Sequence, residues 1–136
     1  MLNAFRHRRL FRDLWVAAHT AAFGVIVAGA SDPTIKIRDA DDVLLATIVL
    51  DPDLSDCSAT TGDITFVVDT QEDTAPASGT ASYAEICDGD GTVQATMDCQ
   101  AGSSPVAGYC VINTLSIVAG APVDVISATS PAGYTI

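Results

Sequence analysis

Hydrophobic positions along this chain keep two different rhythms, and the change falls near Pro33. Before it, Leu10, Leu14 and Ala17/Ala18 repeat at helical spacing, with Phe5, Arg9, Arg12 and Val16 on another face. This spacing predicts a helix or arm from Asn3 to about Ala22, then a short strand at Val25-Ile26-Val27 and a turn from Gly29 to Pro33. After Pro33 the period becomes two. Ile35 and Ile37 alternate with Lys36 and Arg38, and Asp39-Ala40-Asp41-Asp42 reads as a turn. Val43 to Leu50 is almost continuously apolar, the pattern of a strand covered on both faces, and Asp51-Pro52-Asp53 is expected to end it.

Further strands are predicted at Ile64–Val68, Thr80–Cys87, Thr92–Cys99, Tyr109–Asn113, Leu115–Val118 and Val123–Ala128. Gln71 to Ser78 reads as a loop and Ala119-Gly120-Ala121-Pro122 as a turn. About eight short strands at intervals near ten residues predict an all-β chain, folded as an antiparallel sandwich or jelly roll. Strands without intervening helices argue against a parallel α/β fold. The expected organisation is a basic, apolar arm over residues 1–33 and a β-sandwich domain over 34–136.

Charge sharpens that division. The chain has 136 residues, enough for one core, and a formal net charge of −11. All of its lysine and arginine, namely Arg6, Arg8, Arg9, Arg12, Lys36 and Arg38, precedes Asp39. From Asp39 onward the body reads as an anion that cannot make internal salt bridges. An acidic surface either serves solubility or offers a docking face to the cationic arm of a neighbour. Nucleic-acid binding by the body is not expected, because phosphate contacts need Lys or Arg.

The segment Asp88-Gly89-Asp90-Gly91 lies between two predicted strands and tests the candidate chemistry. A calcium loop of the helix-loop-helix type needs oxygen ligands at its first, third and fifth positions, glycine at the sixth and a Glu at the twelfth. Counted from Asp88, the fifth is Thr92, the sixth Val93 and the twelfth Cys99, so the match fails. A turn is expected instead, with Gly89 and Gly91 allowing positive φ and the aspartates capping amides. Nucleophilic catalysis lacks a base, since neither histidine, His7 or His19, lies in the body. No phosphate-cradling glycine motif followed by Lys occurs. The expectation is a protein that is not an enzyme, with no cofactor and no metal. Cys57, Cys87, Cys99 and Cys110 lack zinc-ligand spacing; reduced core thiols or a disulfide such as Cys99–Cys110 are both open.

The N-terminus imitates a secretion signal, with a positive start, an apolar stretch and Ala28-Gly29-Ala30 as a small-residue site. Asp13 and His19 interrupt it, and the segment is read as retained. Leu14 to Ala30 is at the short limit for a membrane span, so no membrane partner is expected. An arm this apolar implies a protein partner, docked through Arg6, Arg8, Arg9, Arg12, Leu10, Leu14 and Trp15.

The stretches ASGTASYAEICDGDGTVQATM and LSIVAGAPVDVISAT resemble a family of small tailed-bacteriophage virion structural proteins. The matching positions are Ala77, Gly79, Thr80, Ala81, Tyr83, Gly91, Thr92, Ser116 to Gly120, Pro122 and Val123. The earlier pair IKIRDADDVLLATIVL also fits, with Ile35, Ile37, Leu45 and Ile48 as its inward face. The resemblance spans residues 34–129 and implies a capsid cement or decoration protein, with a head-to-tail connector or tail component as the close rival. It also implies the major capsid protein or other virion subunits as partners, a homo-oligomer with a trimer favoured, and a place in the virion after assembly in the host cytoplasm. An exported surface binding module is the alternative from another class.

Overall fold

The computed structural model describes residues 16–58 and 63–130. Its strands, in chain order, are β1 (Thr34–Arg38), β2 (Leu44–Cys57), β3 (Ile64–Thr70), β4 (Gly79–Thr80), β5 (Tyr83–Cys87), β6 (Val93–Ala101), β7 (Tyr109–Ile112), β8 (Ser116–Ile117) and β9 (Val125–Ser130). Residues 16–27 form a helix, α1. The all-β expectation is met. In place of the expected sandwich or jelly roll, seven strands close into one barrel in the order β1-β2-β3-β9-β7-β6-β5, and β4 pairs with β8 in a separate small sheet. Closure removes the exposed edges that two separate sheets would leave.

Period-two alternation places one set of side chains in the lumen. Ile35 on β1 lies opposite Ile48 on β2 and Ile86 on β5, and Ile86 in turn lies opposite Ala95 on β6. Ile35, Ile48 and Ile86 are fully buried, as are Ile37, Ala46, Leu50 and Ala84. A barrel of this strand number is narrow enough for side chains alone to fill. The outward Thr47 and Val49 are half-buried, so β2 is not the doubly covered strand its composition suggested. Leu45 falls where the β1–β2 register shifts, and its side chain packs against Gly79 in the small sheet.

Asp51-Pro52-Asp53 does not end β2. The strand runs on to Cys57, and the register with β3 jumps between Asp51 and Asp56. Asp51 Oδ1 accepts hydrogen bonds from the Asp53 and Leu54 amides, and the buried Ser55 Oγ accepts one from the Val67 N–H at 2.9 Å. Side-chain oxygens thus replace backbone acceptors across a bulge where proline has no N–H to offer.

The ring also contains a parallel ladder that the strand pattern did not suggest. β6 and β7 run parallel from Asp98↔Tyr109 to Ala101↔Ile112. Parallel neighbours usually need a long crossover. Here the overlap is short, and residues 102–108 suffice to return the chain, tied by Gly102 N–H to Ile112 O and Gly108 N–H to Thr129 O.

Each end of the barrel is closed differently. At the end carrying Arg38, Leu44 and Tyr83, the β4–β8 sheet and the loop before it add Ala75, Ala81, Ile117 and Val123 to the core. At the end carrying Thr34, Cys57, Ile64 and Cys87 sits α1, whose Thr20 hydroxyl lies 3.8 Å from Cys57 Sγ. Val16, His19, Phe23, Ile26 and Val27 form its inward face, and Ile26 is 2% exposed. The expected strand at Val25-Ile26-Val27 is therefore the last turn of this helix. Phe23, Ile26 and Val27 stand three and four residues apart, and burying that stripe outweighs the strand preference of Val-Ile-Val.

Candidate functional site

The closure by α1 is incomplete. Between the helix and β6 lies a cavity of about 550 Å³ whose walls include Ile26, Ile64, Phe66, Ile86 and Met97. Ala95 and Met97 project into the lumen opposite Ile86 and Ala84, yet Ala95 is exposed and Met97 half-buried. Their accessibility marks the mouth of the cavity. His19, Gln94, Thr96, Asp98 and Ser130 supply polar groups around this apolar floor. Such a shape accepts an apolar group with a polar collar. Sequence reasoning missed it, because its walls come from four strands and a helix that no local pattern brings together.

Below the helix the Asp88 turn is a second organised feature. Asp88 Oδ1 accepts hydrogen bonds from the amides of Asp90 and Thr92, each at 3.0 Å, and Oδ2 accepts one from Gln94 Nε2 at 2.9 Å. The turn closes with Asp88 N–H to Thr92 O and Gly91 N–H to Asp88 O. With both oxygens engaged by donors, Asp88 acts as a cap, the role expected from its position. No group of His, Cys, Asp and Glu arranged to hold a metal occurs among the described residues.

The Gln94 side chain, together with the backbone amides, holds the Asp88 carboxyl below the usual aspartate range. A depressed pKa stabilises the fold above the unfolded value and loses that contribution as pH falls through the folded one. Thermal midpoints measured across an acid series are therefore expected to drop more steeply for the wild type than for Asp88→Asn below the ordinary aspartate pKa of about 4. Parallel curves would remove Asp88 from the acid response.

Gly91 has φ +85°, as expected. Gly89 does not need positive φ; its constraint is space. A methyl there would collide with the carbonyl oxygen of Ser31, and one on Gly29 would come 2.7 Å from Gly89 Cα. The linker leaving α1 is thus laid backbone to backbone on the Asp88 turn.

At the opposite end Arg38, the last basic residue of the chain, forms an ion pair with the acidic body that follows it. Arg38 belongs to β1, and its Nε donates to Glu85 Oε1 on β5, while another guanidinium nitrogen donates to Asp42 O at 2.9 Å. Tyr83, opposite Arg38 in the β1–β5 register, donates its hydroxyl to Asp42 Oδ1. Asp42 has φ 66°, and this pair of contacts holds the turn in that left-handed conformation. The Asp42 hydrogen bond pushes the Tyr83 phenol up to about 12. A raised value means stability present below the free tyrosine range and lost as pH rises through it toward 12. In an ultraviolet pH titration, one tyrosine is expected to ionise late, and Asp42→Asn should return it toward about 10. An unchanged late phase in that variant would rule out Asp42 as the cause.

Cys57, Cys87, Cys99 and Cys110 all carry thiols. Burial pushes Cys87 up. Cys110 is fully buried and Cys99 half-buried beside it. The docking residues expected from the sequence, Arg6, Arg8, Arg9, Leu10, Arg12, Leu14 and Trp15, lie outside the described residues. The adjoining turns of α1 are described. Ala17, Ala18, Ala21, Ala22 and Gly24 are exposed, and Val25 is 51% exposed. No helix among the described residues is long and apolar enough to cross a membrane.

Comparison with protein-family models, curated proteins and solved structures finds no match to this chain.

Proposed function

We propose that this chain is a structural protein of the bacteriophage virion, with its best-supported place that of a cement or decoration protein holding the head shell. The role is assembly rather than catalysis. The observation that carries it is the two-sided use of α1. One face plugs the barrel through Ile26, and the other leaves Ala17, Ala18, Ala21 and Val25 exposed directly after a leader containing four arginines. An apolar helix face next to a cationic leader suits protein contact, and a body with fifteen acidic side chains after Arg38 offers the complementary surface on another copy. The resemblance to phage virion proteins over residues 34–129 supports the same reading and favours a trimer on the major capsid protein. Burial of Ile26 also weighs against the exported-module alternative, since cleavage before Ser31 would strip the barrel of its plug.

The test is to image particles assembled without the protein. Heads that form but burst more readily support the cement role. Intact heads that lack tails would overturn it in favour of a head-to-tail connector or tail component. In solution, the oligomer is expected to dissociate as salt rises past about 0.5 M, where charge contacts are screened; a mass independent of salt would exclude the charged leader as the clasp.

A further inference from the structure

Cys99 on β6 and Cys110 on β7 stand directly opposite each other in the parallel ladder. Adjacent strands run about 4.8 Å apart, inside the Cα separation of about 4.4–6.8 Å that a disulfide spans. Both side chains point to the same side, because Cys110 belongs to the buried core cluster and Cys99 packs against it. The two thiols are near enough that each shifts the other's ionisation, Cys99 downward and Cys110 upward. Neither remaining cysteine has such a partner across its strand: Cys57 faces Ile64, and Cys87 faces Thr34 and Val93.

We propose that Cys99 and Cys110 form a redox modification site, a dithiol that closes into an intrachain disulfide across the β6–β7 seam by exchange with a low-molecular-weight disulfide such as oxidised glutathione. Cys99 is the attacking group, because it is half-exposed whereas Cys110 is fully buried. The Cys110 thiol also favours the Cys99 thiolate, and Cys99 together with burial holds the Cys110 proton in place. The Cys99 thiolate attacks one sulfur of the small disulfide, whose S–S bond breaks and releases one thiolate that takes up a proton. Cys110 then gives up its proton and attacks the Cys99 sulfur, expelling the second small thiol. Two protein thiols are oxidised and one small disulfide is reduced to two thiols. The product staples a four-pair ladder whose strands are joined by residues 102–108.

The purified full chain is incubated with oxidised glutathione, freed of it, unfolded in the presence of an alkylating agent and cut by a protease that cleaves before aspartate. Cuts before Asp98 and Asp124 give a fragment that holds Cys99 and Cys110 and no other cysteine. The expected fragment is lighter by two hydrogens and carries no alkyl group. The oxidised protein is expected to melt roughly 10 °C higher than the reduced one, because the unfolded chain is constrained. In Cys110→Ala the exchange stalls, leaving glutathione on Cys99. Two alkylated cysteines in the wild-type fragment overturn the proposal, as does a bond from either cysteine to Cys57 or Cys87. The wild-type mass decides the question even where the variant fails to fold.

Discussion

Gly89→Ala is expected to cost about 3 kcal/mol and to lower the thermal midpoint by about 10 °C. The reason is the absence of any soft neighbour. The added methyl would meet the Ser31 carbonyl and the Gly29 backbone, and main chain cannot swing aside as a side-chain end can. Relief requires the linker 28–33 to lift from the Asp88 turn, which pulls α1 off the barrel end. Gly91→Ala is the control two residues away. Its methyl has open space, and the strain is that of φ +85° alone, about 1 kcal/mol. Hydrogen exchange of the α1 amides should accelerate in Gly89→Ala and stay near wild type in Gly91→Ala. Equal costs for the two variants would show that the linker is not clamped as described.

Ile35→Ala is the second large effect, expected at about 3–4 kcal/mol by chemical denaturation. Ile35 is the middle of a row, with Ile48 on one side and Ile86 on the other, all three without solvent exposure. Truncation removes three carbons from a site whose neighbours are held by ladder hydrogen bonds on both flanks, so the space collapses little. Ile35→Val should cost about 1 kcal/mol. Ile126→Ala, on the same kind of strand but 42% exposed, should shift stability by less than about 1 kcal/mol. A small loss at Ile35 would mean that the row repacks and that the lumen is looser than its burial indicates.

These two positions also separate what is local from what is not. The alternation Ile35-Lys36-Ile37-Arg38 shows on its own which side chains turn inward, because successive residues of a strand point to opposite faces. The Asp88-Gly89-Asp90-Gly91 hairpin and its capping aspartate are equally legible, since their hydrogen bonds close within seven residues. The second role of Gly89 is not, because Ser31 and Gly29 approach it from a distant part of the chain. The candidate site shows the same division. The cationic leader stands out in the composition, whereas the cavity between α1 and β6 arises from Ile26, Ile64, Phe66 and Met97 meeting in space.

Residue order alone thus determined an all-β chain, most of its strands and turns, and the split of charge between leader and body, all properties set within a few neighbours. Tertiary structure alone decided that Val25-Ile26-Val27 is helical, that β2 passes through Asp51-Pro52-Asp53, and that β6 and β7 run parallel to complete a barrel. Each of these outcomes depends on burying apolar surface or satisfying backbone groups against partners far along the chain. Ile26 gains more as the plug of a barrel than Val-Ile-Val gains as a strand. A ring of seven strands leaves no unpaired edge that a local pattern would have had to announce.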